Sequence, residues 1–156
     1  MKRFVLGFAY NEDSVLLIRK NRPKWQQGFL NGIGGHVEEG ETSHYAMSRE
    51  FNEETNGKFG WTDPKHWTYV CTFKGKGYEV DTFGCKKDFN GQLDHDSDEG
   101  HIHVYPLKLI YDGLFYDRMI SNLKWLIPLA TSGSRGNINQ TIIIESIPET
   151  QGAEIV

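Results

Sequence analysis

Three glutamates near the middle of the chain have the spacing of a carboxylate metal site. Glu50, Glu53 and Glu54 stand at positions i, i+3 and i+4, so an α-helix would bring all three to one narrow face. Like charges this close repel one another and lower the stability of a helix. A divalent cation such as Mg²⁺ or Mn²⁺, which prefers oxygen ligands, would turn that repulsion into a binding site. Taken alone, three glutamates at this spacing are more often an acidic helix face that only contacts water than a metal site.

Glycines and cations come shortly before the glutamates. Gly34 and Gly35 would let backbone groups approach a metal ion or a phosphate closely. A predicted strand that ends near residue 19 leads into four cations, Arg19, Lys20, Arg22 and Lys24. On their own, these residues could be an ordinary strand end that only contacts water. Beside a metal site, such cations could hold phosphate oxygens. We expect Arg19 to do so, because a strand end fixes a side chain better than a loop does.

The spacing around the glutamates resembles the signature of the Nudix hydrolase family. That signature is a glycine, five residues, a glutamate, seven residues, and then Arg-Glu-aliphatic-any-Glu-Glu-any-Gly-aliphatic. Gly35 is the first glycine of the signature. Every charged position is also present, as Glu41 and the run Arg49-Glu50-Phe51-Asn52-Glu53-Glu54. The departures are Phe51 in the aliphatic position, Asn56 in place of the glycine and Gly57 in place of an apolar residue. Asparagine tolerates the left-handed conformation that ends many helices, so these departures concern the helix end more than the chemistry.

The resemblance implies a fold and a reaction. The fold would be α/β, the α/β/α Nudix sandwich with a mixed β-sheet, in one domain over residues 1–156 with a frayed tail at 149–156. The reaction would be Mg²⁺-dependent hydrolysis of a nucleoside diphosphate linked to another group, with Mn²⁺ as a substitute ion. Bound ions would polarise the diphosphate and lower the pKa of the attacking water.

The resemblance also implies roles for individual residues. The metal ligands would be Glu50, Glu53, Glu54 and the carbonyl of Gly34, and Arg49 would orient the glutamates by pairing with Glu41. One carboxylate must act as general base. Either Glu53 or an acidic loop residue such as Glu99 could do so.

Two further stretches, 15–20 and 28–35, resemble the MutT-like branch of the family, which is similar to 8-oxo-dGTP diphosphatases. That branch hydrolyses purine nucleoside triphosphates to a monophosphate and pyrophosphate. The resemblance implies that amides at Asn31 and Asn122 contact the base. It also implies that Gly35 lies in the loop that binds the substrate. Trp25 or Trp125 could stack on the purine.

Other activities stay open at this point. A Nudix pyrophosphatase could act on ADP-ribose, a dinucleoside polyphosphate or capped RNA. A nucleotide-binding module that had lost catalysis would be a different class of protein, although its usual mark is a broken Arg-Glu…Glu-Glu core, and here that core is intact.

An acidic stretch at residues 94–100 could supply one more carboxylate. A solvated loop is the simplest interpretation, and an EF-hand is excluded because Glu99 occupies the position that requires glycine. Nudix enzymes often take an additional carboxylate from a loop in this region. We therefore predict that Glu99 joins the catalytic and metal site, with Asp98 as the second candidate.

The pattern of apolar residues predicts the elements that must position these groups. Strands are expected at 2–10, 15–18, 66–73, 78–87 and 101–110, with a further strand at 141–144. The stretch 23–33 is predicted to be a loop. A first helix is expected to run from about residue 42 to 57, and a second from 116 to 127 that ends near Pro128. That second helix would present Met119, Asn122 and Trp125 on one face.

The whole chain has the composition of a globular protein of one domain. It has 156 residues, a net charge of −4, and 38% hydrophobic and 13% aromatic residues. The negative charge argues against nucleic acid polymers as partners, and the absence of a long apolar stretch argues against a membrane. Two isolated cysteines favour free thiols in a reducing cytoplasm, without excluding one disulfide. We expect a monomer or homodimer acting on a small nucleotide.

Overall fold

The fold is built on one large mixed β-sheet with helices on both faces. The computed structural model describes residues 1–132 and the strand at 140–143. The strands are β1 Lys2–Tyr10, β2 Ser14–Lys20, β3 Leu30–Asn31, β4 Ile33–His36, β5 Thr68–Gly75, β6 Tyr78–Lys86, β7 Asp94–Ser97, β8 Gly100–Pro106 and β9 Gln140–Ile143. The helices are α1 Ser43–Thr55, α2 Leu107–Tyr111 and α3 Leu123–Thr131, with single 3₁₀ turns at Lys24–Gln26, Pro64–His66 and Tyr116–Arg118.

The strand order is β7-β8-β2-β1-β6-β5-β9. β1 runs parallel to β6 and β5 runs parallel to β9, whereas the other pairs are antiparallel. β1 and β2 form a hairpin that is paired only near its turn, where Tyr10 lies opposite Val15. Beyond that point β4 pairs with β1 and β3 pairs with β2. The two short strands therefore lie between β1 and β2 beyond the turn, and the glycine run belongs to this inserted segment.

Two apolar clusters, one on each face of the sheet, form the core. The cluster under α1 includes Val5, Leu16 and Ile18 together with Met47 and Phe51 of the helix. The cluster under α3 takes the alternate residues of the same strands, among them Leu6, Phe8, Leu17, Leu126 and Ile127. A strand covered on both faces needs a continuous apolar sequence, which explains the run 15–18 in β2. The predicted α/β/α sandwich with a mixed sheet is confirmed.

Helix α1 carries the three glutamates and is defined at both ends by its own sequence. Thr42 caps the first turn by accepting a hydrogen bond from the backbone N–H of Tyr45 at 3.2 Å. Asn56 ends the helix in the left-handed conformation, with φ 49° and ψ 35°. Phe51 is fully buried, which contributes roughly 1.5–3 kcal/mol of stability. The expectation that Asn56 could replace the glycine of the signature at this cap is confirmed.

Three regions differ from the sequence predictions. Part of the predicted loop at 23–33 forms β3, and the glycine run that follows it forms β4, because the glycines let this segment lie against β1. Residues 94–97 form strand β7, which pairs with β8. The strand predicted at 101–110 ends at Pro106, and helix α2 follows it.

The second helix also starts later than predicted. Met119 lies in an extended segment that bridges to Leu30, and the N–H of Ile120 donates to the Leu30 carbonyl at 3.0 Å. Helix α3 begins only at Leu123, so Met119 does not share a helix face with Asn122. Pro128 lies inside α3 instead of ending it. The predicted strand near 141–144 is present as β9, and the predicted frayed tail at 149–156 lies outside the described residues.

No helix in the described part of the chain has the length and apolar character needed to cross a membrane. Cys71 and Cys85 are buried free thiols, and they lie in the two different core clusters on opposite faces of the sheet. Burial raises the pKa of the Cys85 thiol to about 11, so this thiol stays protonated at neutral pH.

Candidate active site

Arg49 links the loop before α1 to the glutamates on the helix. Its Nε and one terminal nitrogen donate to the two carboxylate oxygens of Glu41, each at 2.8 Å. The same nitrogen also donates to the His36 carbonyl at 3.0 Å, and the other terminal nitrogen donates to Glu50 at 2.9 Å. The hydrogen bonds to Arg49 hold the pKa of the Glu41 carboxyl below its usual value. The pairing of Arg49 with Glu41 that the sequence predicts is confirmed.

Glu50 is packed against the glycine strand β4. A Cβ on Gly35 would lie 2.3 Å from the carboxylate carbon of Glu50, so only glycine fits there without displacing the glutamate. Burial raises the pKa of Glu50 to about 7, an effect that Arg49 opposes and that the charges of Glu53 and Glu54 increase. A divalent cation would relieve this cost by stabilising the ionised carboxylate.

Glu53 and Glu54 differ in their surroundings, although they are neighbours in sequence. The Glu53 side chain is 64% exposed and accepts a long hydrogen bond, 3.3 Å, from Arg49. Glu54 is half-buried and accepts a hydrogen bond from the hydroxyl of Ser97. Burial raises the pKa of Glu54, a shift that Ser97 opposes. The helix therefore presents one open carboxylate and two shielded ones.

Glu99 lies at the turn between β7 and β8, where it is paired with cations. Arg22 donates to one of its carboxylate oxygens at 2.5 Å, and the Nζ of Lys20 lies 3.7 Å from the other. The hydrogen bond from Arg22 is the main cause that lowers the pKa of Glu99. Asp98, the second candidate in this stretch, is exposed.

Lys20 and Arg19 point to opposite faces of the sheet, because successive side chains in a strand alternate. Lys20 shares the α1 face with Ile18 and is only 4% exposed, and its charge acts on Glu54. Arg19 is exposed and shares the α3 face, where its charge acts on Tyr105. The structure therefore does not bring Arg19 to the carboxylates, and Lys20 and Arg22 lie there instead.

These groups have the chemistry of a site for a divalent cation and a phosphate chain. Glu50, Glu53 and Glu54 offer only oxygen ligands, the donor set that Mg²⁺ and Mn²⁺ prefer. The strand at Gly35 has no side chain that would fill the space beside Glu50. Two cations, Lys20 and Arg22, lie at the border of the cluster. The residues therefore fit a bound divalent metal ion.

The family model of the NUDIX domain matches residues 2–123, which is most of the chain and includes all of these groups. The chain belongs to the Nudix family. Nudix hydrolases use divalent metals and act on small nucleotide substrates, so the protein is a Nudix-type pyrophosphohydrolase.

Solved structures of other Nudix proteins share the fold. A MutT protein from Bacillus halodurans has a TM-score of 0.70 at 19% identity, covering 95% of this chain and 92% of that one. An ADP-ribose pyrophosphatase from Streptococcus suis has a TM-score of 0.61 at 14% identity, covering 92% and 98%. A bifunctional NMN adenylyltransferase/ADP-ribose pyrophosphatase from Francisella tularensis, complexed with AMP and a manganese ion, has a TM-score of 0.60 at 18% identity, covering 78% and 38%. No curated protein shows significant sequence similarity to the chain.

The four residues predicted to contact the base are not equivalent in the structure of this Nudix protein. Asn31 is buried, donates from Nδ2 to Gln26 at 3.0 Å, and accepts from the N–H of Gly32 at 2.8 Å. Asn122 lies just before α3, and among the described residues its buried Oδ1 has no hydrogen-bond partner. Trp25 is 39% exposed, whereas Trp125 packs half-buried against the core under α3.

Two features of the site differ from the sequence prediction: Ser97 bonds Glu54, and Lys20, not Arg19, lies on the face of the glutamates. A signal for the second point was present. In a strand whose residues 15–18 are buried on both faces, the residue that shares a face with Ile18 is residue 20. No local signal indicated Ser97, because its partner lies 43 residues away in the chain. The cavity of about 570 Å³ between Tyr10, Lys86 and Tyr111 lies at the β1–β2 turn, away from the glutamates.

Proposed function

We propose that the protein hydrolyses a purine nucleoside triphosphate, including oxidised purines, to the monophosphate and pyrophosphate, with Mg²⁺ as its cofactor and Mn²⁺ as a substitute. The observation that carries the proposal is the arrangement of Glu50, Glu53 and Glu54 beside the glycines of β4, with two cations at the border. We propose that it does so in the cytoplasm, as a monomer or homodimer, on free nucleotides and not on nucleic acid polymers.

In this proposal, Glu50, Glu53 and Glu54 hold the metal, assisted by the carbonyl of Gly34. The metal, when bound, supplies charge neutralisation of the phosphates and lowers the pKa of the attacking water. Arg49 keeps Glu50 in place through its bonds to Glu41 and Glu50. The arginine is itself fixed from the loop side by Glu41 and the His36 carbonyl.

Lys20 and Arg22 are the better candidates for holding the phosphate chain. Both carry charge at the edge of the carboxylate cluster, and Glu99 fixes both of them. We therefore propose Glu99 chiefly as a positioning residue for these cations, beside its predicted part in the metal site.

The general base in this proposal is Glu53. Its carboxylate is the most exposed of the helix glutamates, so a water molecule can reach it. Glu99 is a weaker base, because the hydrogen bond from Arg22 lowers its pKa.

The chemistry is tested by replacing single carboxylates with amides of the same size. Glu53→Gln and Glu54→Gln should each lose most of the activity, since an amide is a poor ligand for Mg²⁺. Thermal stability without metal should stay unchanged or rise slightly, because repulsion on the helix decreases. Near-normal turnover of both variants at saturating Mg²⁺ would refute the assignment of these residues.

The choice of a purine triphosphate is supported by Asn122. The buried Oδ1 of Asn122 has no hydrogen-bond partner among the described residues, which costs roughly 1–3 kcal/mol. A rotation of this half-buried side chain towards solvent would let the oxygen accept from an N–H group on a purine edge. Asn122 lies two residues after Ile120, whose N–H donates to the carbonyl of Leu30, the residue before Asn31. We propose that Asn122 reads the base, that Asn31 holds the loop through Gln26, and that Trp25 or Trp125 stacks on the purine.

The substrate is tested by comparing Asn122→Ala with the unmodified protein on 8-oxo-dGTP, dGTP and dCTP. Loss of the contact should lower kcat/KM for the purine that is read by about five- to 150-fold, at about 1.4 kcal/mol per tenfold. The loss for dCTP should be small. An equal loss for all three nucleotides would mean that Asn122 is structural. Release of AMP and ribose phosphate from ADP-ribose, with no reaction on triphosphates, would replace the proposed substrate class.

A further inference from the structure

A second group of potential metal ligands lies on the hairpin formed by β7 and β8. Asp94 is the cross-strand partner of His103, and Asp96 is the cross-strand partner of His101. Because the residues in each strand are two apart, all four side chains lie on the same face of the hairpin. Ile102, between the two histidines, packs into the cluster under α1. The four side chains therefore lie on the α3 face of the sheet, opposite to the Nudix helix.

The side chains of this group converge on one point. One carboxylate oxygen of Asp94 and one ring nitrogen from each of His101 and His103 lie within 4.8 Å of one another. The two imidazole rings are nearly parallel, with centroids 6.1 Å apart and planes at 20°. Ligand atoms at about 2.0–2.2 Å from a tetrahedral Zn²⁺ are roughly 3.3 Å apart. Side-chain rotations that move these atoms together by about 1.5 Å would therefore complete a three-ligand site.

Asp96 and Tyr105 hold the two histidine rings. The carboxylate of Asp96 lies 2.6 Å from Nδ1 of His101, which leaves Nε2 of that ring for an ion. A carboxylate bonded to the far nitrogen of a histidine is the usual support of a metal ligand, because it fixes both the tautomer and the ring orientation. The Tyr105 ring contacts His103 edge to face at 5.1 Å. The histidines thus have the supporting contacts of a site as well as its ligands.

We propose that Asp94, His101 and His103 bind a divalent transition-metal ion of the Zn²⁺ class, with Asp96 as the supporting carboxylate. Two imidazoles and one carboxylate suit Zn²⁺ and its neighbours, whereas Mg²⁺ prefers oxygen ligands alone. Solvent would fill the remaining position, since Asp94 is exposed and both histidines are half-buried.

An ion at this point would join β7 to β8 just before the turn that reaches the Nudix helix. That turn carries Ser97, which bonds Glu54, and Glu99, which pairs with Lys20 and Arg22. Binding of the ion would therefore fix the hairpin from which both residues reach the catalytic cluster.

The test is calorimetric titration of the protein with ZnCl₂ in buffer that contains excess Mg²⁺, which occupies the oxygen ligands of α1. The expected result is one Zn²⁺ per chain. Asp96→Asn should weaken binding by about 10- to 100-fold, and His103→Asn should weaken it further, because it removes a ligand. His95→Asn is the matched control, since His95 lies on β7 but on the opposite face, paired with Ile102.

Two more measurements separate this site from the Nudix cluster. A Glu53→Gln/Glu54→Gln variant should bind Zn²⁺ as the unmodified protein does. In NMR spectra, Zn²⁺ should shift the imidazole signals of His101 and His103 and leave that of His66 unchanged. The proposal is overturned if no Zn²⁺ binds, if the His95 variant loses binding as much as the His103 variant, or if the glutamate variant loses it. None of these outcomes depends on which nucleotide the enzyme hydrolyses.

Discussion

Gly35→Ala should separate activity from stability, because the three atoms nearest to the new methyl group belong to the carboxylate of Glu50. An added Cβ would lie 2.3 Å from the Glu50 carboxylate carbon, whereas ordinary contacts begin at 3.4 Å. The carboxylate must therefore move by about 1.1 Å. Rotating the end of a glutamate costs roughly 0.5–1.5 kcal/mol, which is small against the stability of the domain. A displacement of about 1 Å in a catalytic group can lower the rate about 100-fold.

The neighbouring glycine provides the matched control. A Cβ on Gly34 would lie 2.1 Å from the backbone carbonyl oxygen of Val5, so β1 itself would have to move. Gly34→Ala should cost about 2–3 kcal/mol of stability, or a Tm lower by roughly 5–10 °C. Gly35→Ala should lower kcat/KM by about 100-fold with a Tm change of only a few degrees. The assays are thermal unfolding and a pyrophosphate-release assay over a range of Mg²⁺ concentrations. Gly35→Ala with more than half of normal activity would refute the packing argument, as would two variants that lose stability equally.

Two further predictions concern the same helix. In the folded, metal-free protein the pKa of Glu50 is about 7, whereas its value in the unfolded chain is about 4.5. The free energy of unfolding should therefore fall by up to about 3 kcal/mol as the pH rises between these two values. Urea unfolding in EDTA should show this slope, and Glu50→Gln should weaken it; an unchanged slope in that variant would contradict the assignment to Glu50. Arg49→Lys keeps the charge but loses the paired hydrogen bonds to Glu41. It should therefore lower the free energy of unfolding by about 1–3 kcal/mol and raise the Mg²⁺ concentration needed for half-maximal activity. Unchanged values in thermal unfolding and Mg²⁺ titration would show that the geometry of the guanidinium is unimportant here.

The sequence predicted the Nudix helix well because its constraints are local. The cap at Thr42, the buried Phe51 and the left-handed Asn56 all lie within one continuous stretch. The apolar run of β2 likewise predicted a strand covered on both faces. The pairing of Arg49 with Glu41 was also predictable, since the signature specifies both residues.

The features that were missed depend on partners far away in the chain. Met119 leaves the helical pattern because it bridges to Leu30, which no local pattern indicates. Lys20 can be buried because Glu99 lies opposite it, 79 residues later. The glycine run looked like a loop because glycine is rare in strands, yet here the absence of side chains is what allows β4 to lie against β1.

The position of β7 in the sheet has a consequence for how the protein behaves at high concentration. Among the strands that the structure describes, β7 stands at the end of the order and pairs only with β8, so its other side is an edge of the described sheet. Exposed edges of this kind can recruit a second chain and start aggregation, and proteins commonly prevent this with charges and short strands. β7 has only four residues, and two of them, Asp94 and Asp96, are exposed carboxylates. These charges would repel a second copy approaching along the edge, so the side chains proposed to attract a cation also help to keep neighbouring molecules apart.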